Sequence, residues 1–306
     1  MVFLSRACTR SVGLGAYRGH TATWLPRHRM SSSTSAADEA YAVPKLPTPI
    51  LPVTGSSHRY PVRRVYCVGS NYSISRGSDI GINLPHGIFH ASSSTSRTRN
   101  RAHTVEMGGN PDKQPPFFFM KPPDAVIDTS GPDAVVPYPP ETADFHHEVE
   151  LVVAIGEGGR QIAPEQAMRH VFAFGVGVDL TRRDMQHVAK KTGRPWDCSK
   201  GFDSSAPMSA LTPIASSESV VGEGNESRAI WLKVDGVVRQ QSVLGDLVWS
   251  VPEMIAKLSQ LFTLQPGDLL FTGTPAGVGP LRVGETVEAG VAGLQLCRFR
   301  VAPALS

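Results

Sequence analysis

The chain has 306 residues, of which 41% are hydrophobic and 19% are charged. This balance is typical of a globular protein with a sizeable core. The net charge of +3 comes from the first 37 residues, which hold five arginines and no acid, so the rest of the chain carries −2. Because no basic surface is left to follow a phosphate backbone, we expect no nucleic-acid partner. No apolar run approaches the ~20 residues of a membrane span, so we expect no membrane partner either.

The cysteine, glycine and proline contents further restrict the fold class and the kinds of site that we expect. The four cysteines lie far apart without a CxxC pair, which argues against a zinc site and a disulfide framework and suits a reducing compartment. The 29 glycines and 25 prolines favour a turn-rich fold that contains β-strands over a helical bundle.

The first 61 residues divide into two segments. Residues 1–40 are rich in Arg, Ser and Thr and lack a continuous apolar core. This composition is typical of a mitochondrial transit peptide, with a disordered tail as the alternative. It predicts the mitochondrial matrix, and otherwise the cytoplasm. Residues 41–61 carry five prolines and are interpreted as a Pro-rich linker lying along the surface.

The first strand of the folded domain is predicted at residues 64–69. Residues 73–100 follow as a polar, Ser-rich stretch without sustained periodicity, interpreted as an inserted mobile loop. Next comes a predicted helical turn at residues 103–107. After it, an apolar stretch at residues 117–122 ends in prolines.

The second half of the chain alternates strands and helices. Glu148 and Glu150 enter a strand, and a second apolar strand at 174–180 carries Asp179. Thr181 and Asp184 have capping-box spacing and predict the start of a helix that extends to about Lys191. The remaining predictions are a helix at 163–172, a hairpin at 229–241 around Asp235-Gly236, a helix at 251–262 and a buried strand at 268–271.

Three carboxylates are the main candidates for chemistry. Alternate residues of a strand share a face, so Glu148 and Glu150 point the same way, roughly 6.5–7 Å apart. Like charges beside apolar segments are costly unless they are neutralised, and Asp179 adds a third. Oxygen ligands favour Mg²⁺ or Mn²⁺. The alternative is a set of solvent-facing acids on an edge strand.

Further candidates lie nearby. His103 and Glu106 are three residues apart, so on a helical turn the carboxylate could orient the imidazole as a base; the alternative is a solvated histidine. Lys200 could balance an anionic substrate or stabilise an enolate; the alternative is a surface lysine. Residues 272–279 lack both the G-x-x-x-x-G-K-[ST] and the G-x-G-x-x-G patterns, so nucleotide binding is not expected.

Five motifs occur in order between about residue 62 and the C-terminus, and together they resemble the fumarylacetoacetate hydrolase family. The stretch Lys190 to Trp196, with Lys200 after it, is most similar to the mitochondrial acylpyruvate hydrolase and oxaloacetate decarboxylase branch. The five motifs are Tyr66-Cys67-Val68-Gly69-Ser70-Asn71-Tyr72, Phe119-Met120-Lys121-Pro122, His147-Glu148-Val149-Glu150-Leu151, Gly177 to Asp184, and Gly267 to Gly279.

The resemblance implies a mixed α/β (α+β) fold whose β-sheets roll into a barrel-like core with peripheral helices, and a homodimer. It implies hydrolysis of acylpyruvates, decarboxylation of oxaloacetate, or both. The alternatives are a 2-oxo acid tautomerase or isomerase and a non-catalytic binding protein. The implied roles are Mg²⁺ or Mn²⁺ ligation by Glu148, Glu150 and Asp179, catalysis by His103, Glu106 and Lys200, and binding of a small 2-oxo acid by Arg183, Gln186 and Thr274.

The sequence departs from the family pattern in two places. The family has two residues between the tyrosine of Asn-Tyr and H-x-x-E, whereas here residues 73–100 are inserted between Tyr72 and His103. In relatives this segment acts as a lid, so the insertion could change how it closes. Ser70 stands where an arginine is common. The domain is therefore predicted at 62–306, with an insertion at about 73–100.

Overall fold

The computed structural model describes residues 43–44, 46–72, 115–214 and 227–304. All of the helices and strands given below belong to the unit that begins at Pro47. The predicted transit peptide, the insertion at 73–100 and the pair His103 and Glu106 lie outside the described residues.

The described residues form mainly strands with a few short helices. The strands are β1 (Ile50–Pro52), β2 (Arg59–Pro61), β3 (Arg64–Gly69), β4 (Phe117–Lys121), β5 (Val126–Asp128), β6 (Val135–Pro137), β7 (Phe145–His147), β8 (Val149–Ile155), β9 (Val171–Val178), β10 (Thr181–Arg182), β11 (Ala206–Met208), β12 (Thr212–Pro213), β13 (Ala229–Val234), β14 (Val237–Val243), β15 (Asp268–Phe271), β16 (Gly279–Pro280), β17 (Thr286–Val291) and β18 (Cys297–Ala302). The α-helices are α1 (Arg183–Thr192), α2 (Asp197–Lys200) and α3 (Val251–Leu261), and 3₁₀ helices cover Pro123–Ala125, Pro164–His170 and Leu244–Asp246.

Two mixed sheets dominate the fold. The larger has the order β4-β3-β15-β8-β9-β11-β5, with β12 paired to β9, and the smaller has the order β14-β13-β17-β18-β6. Most neighbouring strands are antiparallel, but β15 and β3, β11 and β5, and β18 and β6 run parallel. The predicted mixed α/β class is confirmed.

The central strand β8 explains why its sequence is almost continuously apolar. Side chains of a strand alternate between the two faces of its sheet. Leu151, Val153 and Ile155 join the core shared with the smaller sheet, whereas Val152 and Ala154 join a second core on the opposite face. Because both faces are covered, every residue of β8 is buried.

Residues 50–61 differ from the expected surface linker. They form the β1–β2 pair, in which Leu51 and Tyr60 are buried in the second core. The Tyr60 hydroxyl group contacts the backbone oxygens of Ile155 and Asp268, at 2.9 and 2.8 Å. Strands of three residues interrupted by prolines are too short to show a period in the sequence, and burial here depends on contacts with residues about 100 and 200 positions away.

Most of the other elements agree with the predictions, and two do not. The strands at 64–69 and 268–271, the hairpin at Asp235-Gly236 and the helix starting at 251 are confirmed. The predicted helix at 163–172 is wrong, since a 3₁₀ helix ends at His170 and β9 begins at Val171. The capping box is also wrong, because Arg182 occupies the N-cap of α1 without a side-chain cap.

No helix among the described residues combines the length and apolar character needed to cross a bilayer.

Candidate metal centre

The pairing of β8 with β9 brings the three predicted carboxylates together. Val149 lies opposite Val178, and the next amide, that of Asp179, donates to the Glu148 carbonyl oxygen at 2.8 Å. One carboxylate oxygen from each of Glu148, Glu150 and Asp179 lies within 4.8 Å of the others. Their exposed fractions are 8%, 2% and 1%. Since β8 lies between β15 and β9, the alternative of solvent-facing acids on an edge strand is wrong.

Lys200 bridges two of these carboxylates. Its ammonium group donates to Glu148 Oε2 at 2.8 Å, to Asp179 Oδ2 at 2.6 Å and to the Thr181 hydroxyl at 2.7 Å. The side chain is almost fully buried at the end of α2, so the alternative of a surface lysine is wrong. Thr181 thus contacts the lysine of the site instead of capping α1.

Lys121 is a second buried cation, and sequence reasoning missed it. Its ammonium nitrogen lies 2.7 Å from Asp179 Oδ1 and donates to the backbone oxygens of Leu180 and Lys200. It therefore ties the residue after β9 to the end of α2. The available signal was a lysine at the end of the apolar β4, within the motif Phe119-Met120-Lys121-Pro122.

Arg183 supplies the third cation. Its guanidinium group donates to Glu148 Oε1 and to Gln186 Oε1, both at 2.5 Å, and its Nε lies 3.3 Å from His146 Nδ1. His146 in turn contacts Asp144, with 2.7 Å between Nε2 and Oδ1. Three carboxylates thus meet three cations, which leaves the cluster formally neutral when every group is ionised.

Glu150 has no cation in direct contact among the described residues. Its Oε2 accepts the Gly273 amide hydrogen at 2.6 Å. Gly273 has φ of +98°, and a Cβ there would lie 2.7 Å from the Cβ of Asn71, so only glycine fits this turn. Asn71 donates to the Thr272 carbonyl oxygen at 2.7 Å and so holds the same turn.

The two glutamates have opposite electrostatic environments. Burial raises the pKa of Glu150, and the charges of Asp179 and Glu148 raise it further, to well above the ordinary glutamate range. Burial also acts to raise the pKa of Glu148, but the charges of Lys200 and Arg183 outweigh it and lower this pKa to about 2. The pKa of Lys200 is raised, because the carboxylates of Asp179 and Glu148 outweigh its burial.

These residues fit a hard divalent cation. Three buried carboxylates converge, and Glu150 among them has no cation in direct contact among the described residues. A glutamate whose pKa is raised by burial and by neighbouring carboxylates is stabilised in its charged form when a cation binds beside it. The all-oxygen donor set suits Mg²⁺ or Mn²⁺.

We expect metal affinity to fall as the pH is lowered, starting above the ordinary glutamate pKa of about 4.3. The metal-free fold raises the pKa of Glu150 and so favours its protonated form, which must lose its proton before it can bind a cation. Calorimetric titration with Mn²⁺ in buffers of different ionisation enthalpy will measure this proton release. Glu157→Gln, at an exposed turn, is the control, and a pH-independent affinity would contradict the assignment.

A cavity of about 260 Å³ opens beside the carboxylates. Seven of the nine site residues predicted from the sequence line it, and the structure therefore brings them together. His103 and Glu106, the other two, lie outside the described residues. The seven are Glu148, Glu150, Asp179, Arg183, Gln186, Lys200 and Thr274.

A buried carboxylate cluster suited to a divalent cation, in a fold of two mixed sheets, places the chain among metal-dependent enzymes. The model of the protein family "Fumarylacetoacetate (FAA) hydrolase C-terminal" matches residues 94–302, which are more than half of the chain. The chain belongs to the fumarylacetoacetate hydrolase family, as its motifs predicted.

Three similar proteins illustrate the range of this family. The crystal structure of fumarylpyruvate hydrolase from Pseudomonas aeruginosa in complex with Mn²⁺ and pyruvate is 41% identical, has a TM-score of 0.69, and the match covers 86% of this chain and all of that chain. A mitochondrial oxaloacetate decarboxylase of Dictyostelium discoideum is 37% identical over 64% of this chain and 87% of its own. A mitochondrial oxaloacetate tautomerase of Arabidopsis thaliana is 36% identical over 65% of this chain and 86% of its own. The predicted barrel-like fold of the family is confirmed by the structural similarity.

Proposed function

We propose that this protein is a Mg²⁺- or Mn²⁺-dependent enzyme that cleaves a carbon–carbon bond of small 2-oxo acids, by hydrolysis of acylpyruvates, by decarboxylation of oxaloacetate, or by both. The buried cluster of Glu148, Glu150 and Asp179 beside a small cavity carries this proposal. The names of the similar hydrolase and decarboxylase support it.

The cavity suits a small anion. Lys121, Lys200 and Arg183 balance the three carboxylates, and any proton retained by Glu150 makes the cluster net positive before a metal binds. When bound, a divalent cation supplies Lewis-acid stabilisation of negative charge on the substrate oxygens. The 2-oxo carboxylate of the substrate is therefore proposed to lie against this cluster.

Each side chain has a distinct proposed role. Lys200 places a fixed positive charge next to the carboxylates, where an enolate would develop its charge. Arg183 and Gln186, joined by a hydrogen bond, are proposed to hold the substrate carboxylate from α1. Thr274 is proposed to donate a hydrogen bond from the opposite loop.

His103 and Glu106 are proposed to distinguish the two reactions. Hydrolysis needs a base that takes a proton from the water attacking the distal carbonyl carbon, and His103 oriented by Glu106 would fill this role. Loss of CO₂ from oxaloacetate gives the same enolate without any attack by water. The two reactions therefore share the carboxylates and Lys200 but differ in their need for His103.

We expect His103→Ala to lower acylpyruvate hydrolysis by about 10²–10⁴-fold, the usual contribution of a general base. Oxaloacetate decarboxylation should fall much less. Both rates are measured on the same Mn²⁺-loaded preparation. His58→Ala, at an exposed histidine between β1 and β2, is the matched control. If both activities survive in His103→Ala, the assignment of the base is refuted.

Tautomerisation of oxaloacetate is the second candidate, and the name of the Arabidopsis relative favours it. It requires only proton transfer at the same site. Following the enol absorbance and the release of CO₂ from oxaloacetate in parallel separates the two reactions. Loss of the enol without release of CO₂ would identify the protein as a tautomerase.

We further propose import into mitochondria. The arginine-rich, acid-free residues 1–37 and the names of two mitochondrial relatives support this proposal. A fluorescent fusion at the C-terminus should colocalise with a matrix marker, and deletion of residues 1–40 should leave it in the cytoplasm. Unchanged localisation after the deletion would contradict the proposal.

A homodimer is also proposed from the family resemblance, as is a catalytic domain that covers the predicted 62–306 together with β1 and β2, which pack in its second core. Light scattering after size exclusion should give twice the mass of the chain, and a mass of one chain would contradict the dimer.

A further inference from the structure

The buried side chain of Gln240, on β14, connects the carboxylate strand to the loop that carries Thr274. Its Oε1 accepts the Val149 amide hydrogen at 3.1 Å and lies 2.9 Å from His147 Nδ1. Its Nε2 donates to the Thr274 hydroxyl oxygen at 2.8 Å and to the Pro275 carbonyl oxygen at 2.9 Å. Gln240 is 1% exposed, so water has almost no access to its amide group.

The orientation of this amide group is fixed by two partners that each have a single role. The Val149 N–H can only donate, and the Pro275 carbonyl oxygen can only accept. Turning the amide over would place N–H against N–H and oxygen against oxygen, so the opposite orientation is excluded. The hydrogen between His147 and Gln240 must therefore reside on Nδ1 of the imidazole.

This orientation determines the role of the Thr274 hydroxyl group. Its oxygen accepts a hydrogen from Gln240 Nε2, so its own hydrogen must be donated in another direction. The Thr274 hydroxyl donates no hydrogen bond to any other of the described residues. Thr274 is half-buried and lines the cavity that also contains the three carboxylates.

We propose that Gln240 is a positioning residue that holds the Thr274 hydroxyl as a hydrogen-bond donor toward the cavity. The site then selects ligands that place a carboxylate or carbonyl oxygen at this position and rejects those that place an N–H or O–H donor there. The inference rests on the proposed function only in taking a small 2-oxo acid as the ligand.

The first test is the affinity of the Mn²⁺-loaded protein for pyruvate, measured by calorimetry. Thr274→Val keeps the shape of the side chain but removes the donor, and should weaken pyruvate binding about ten-fold or more, the loss expected for a hydrogen bond to a charged group. Thr274→Ser should bind within about three-fold of the wild type. The affinity for Mn²⁺ alone should not change in either variant.

The second test reverses the orientation of the hydroxyl. In Gln240→Glu, the atom facing Thr274 accepts instead of donating, so the hydroxyl turns toward it and presents lone pairs to the ligand. Pyruvate affinity should fall about ten-fold, and much less when Gln240→Glu is made in Thr274→Val, because no hydroxyl is left to orient. Gln241→Glu, the same change at the exposed neighbour, is the control.

The outcomes separate this inference from the proposed function. Equal pyruvate affinities of Thr274→Val and the wild type, or additive effects of the two substitutions, overturn the inference even if turnover is normal. Weakened binding in a protein that turns over no 2-oxo acid supports the inference and refutes the function. If Gln240→Glu melts too low to assay, Gln240→Met, which also leaves the hydroxyl unoriented, takes its place in the cycle.

Discussion

Asp179→Asn should abolish metal-dependent turnover. The substitution keeps the shape of the side chain but removes its negative charge and replaces one of the two carboxylate oxygens by an NH₂ group, which cannot bind a cation. Changing an outer partner of a metal ligand typically costs 10–100-fold in affinity or activity, so loss of a ligand should cost at least about 100-fold. The measurements are Mn²⁺ affinity by calorimetry and turnover over a range of Mn²⁺ concentrations.

The matched control for this change is Asp203→Asn, an exposed carboxylate in the same half of the chain that does not line the cavity. It should bind Mn²⁺ like the wild type. Asp179→Asn also frees the ammonium groups of Lys121 and Lys200 from one carboxylate, so its melting temperature must be compared in chelator and in metal. Full turnover of the wild type in excess chelator would refute the metal assignment entirely.

The carboxylate triad could be predicted because each member carries a local signal. Glu148 and Glu150 alternate with apolar residues, and Asp179 ends an apolar strand, so burial and like charge follow from the sequence alone. The same rule located Lys200 only with the help of the family motifs, because a lysine in a polar turn is usually solvated. Its burial depends on contacts with β8 and β9 across the site.

Lys121 and Gln240 were missed because their roles depend on pairing between distant segments. Gln240 lies 91 residues from Val149 and 34 from Thr274, its two hydrogen-bonding neighbours. In the sequence it is one of two adjacent glutamines in a hairpin, and nothing local distinguishes the buried one. Which of the two glutamines is buried depends on the bulge between Leu232 and Lys233 in the β13–β14 pair and on the packing of that sheet against β8.

The predictions of secondary structure failed where tertiary contacts override the local preference of the sequence. The 163–172 segment has a helical pattern, but its last two residues belong to β9, where Val171 pairs with Ile155 of β8. The residues before them form a 3₁₀ helix that ends at His170. The Thr181 and Asp184 pair has capping-box spacing, yet Thr181 contacts Lys200 and Asp184 accepts hydrogen bonds from Thr142 and Ala143. Both residues are thus used by the site or its supporting loop.

Lys200→Met should destabilise the metal-free protein and make its stability depend on metal. Removing one partner of a buried ion pair costs about 3–5 kcal/mol, because the other charges stay buried and uncompensated. For a domain of this size that is a fall of about 10 °C in melting temperature. Burial lowers the pKa of Lys200, but the charges of Asp179 and Glu148 raise this pKa by more. The stabilising contribution of the ammonium group is therefore fully present below the ordinary lysine pKa of about 10.4 and is lost only at higher pH.

Scanning calorimetry at neutral pH, in chelator and in Mn²⁺, measures this effect. Mn²⁺ should restore part of the lost stability in Lys200→Met, because a cation on Glu148 and Asp179 replaces the missing positive charge. Lys190→Met is the matched control: this exposed lysine lines the same cavity and lies 4.9 Å over the ring of Trp196, so its loss should shift the melting temperature by only about 2 °C. If Lys200→Met and the wild type have the same melting temperature in chelator, the ammonium group does not neutralise the carboxylates. Normal turnover in Lys200→Met would show that the lysine has no role in the reaction.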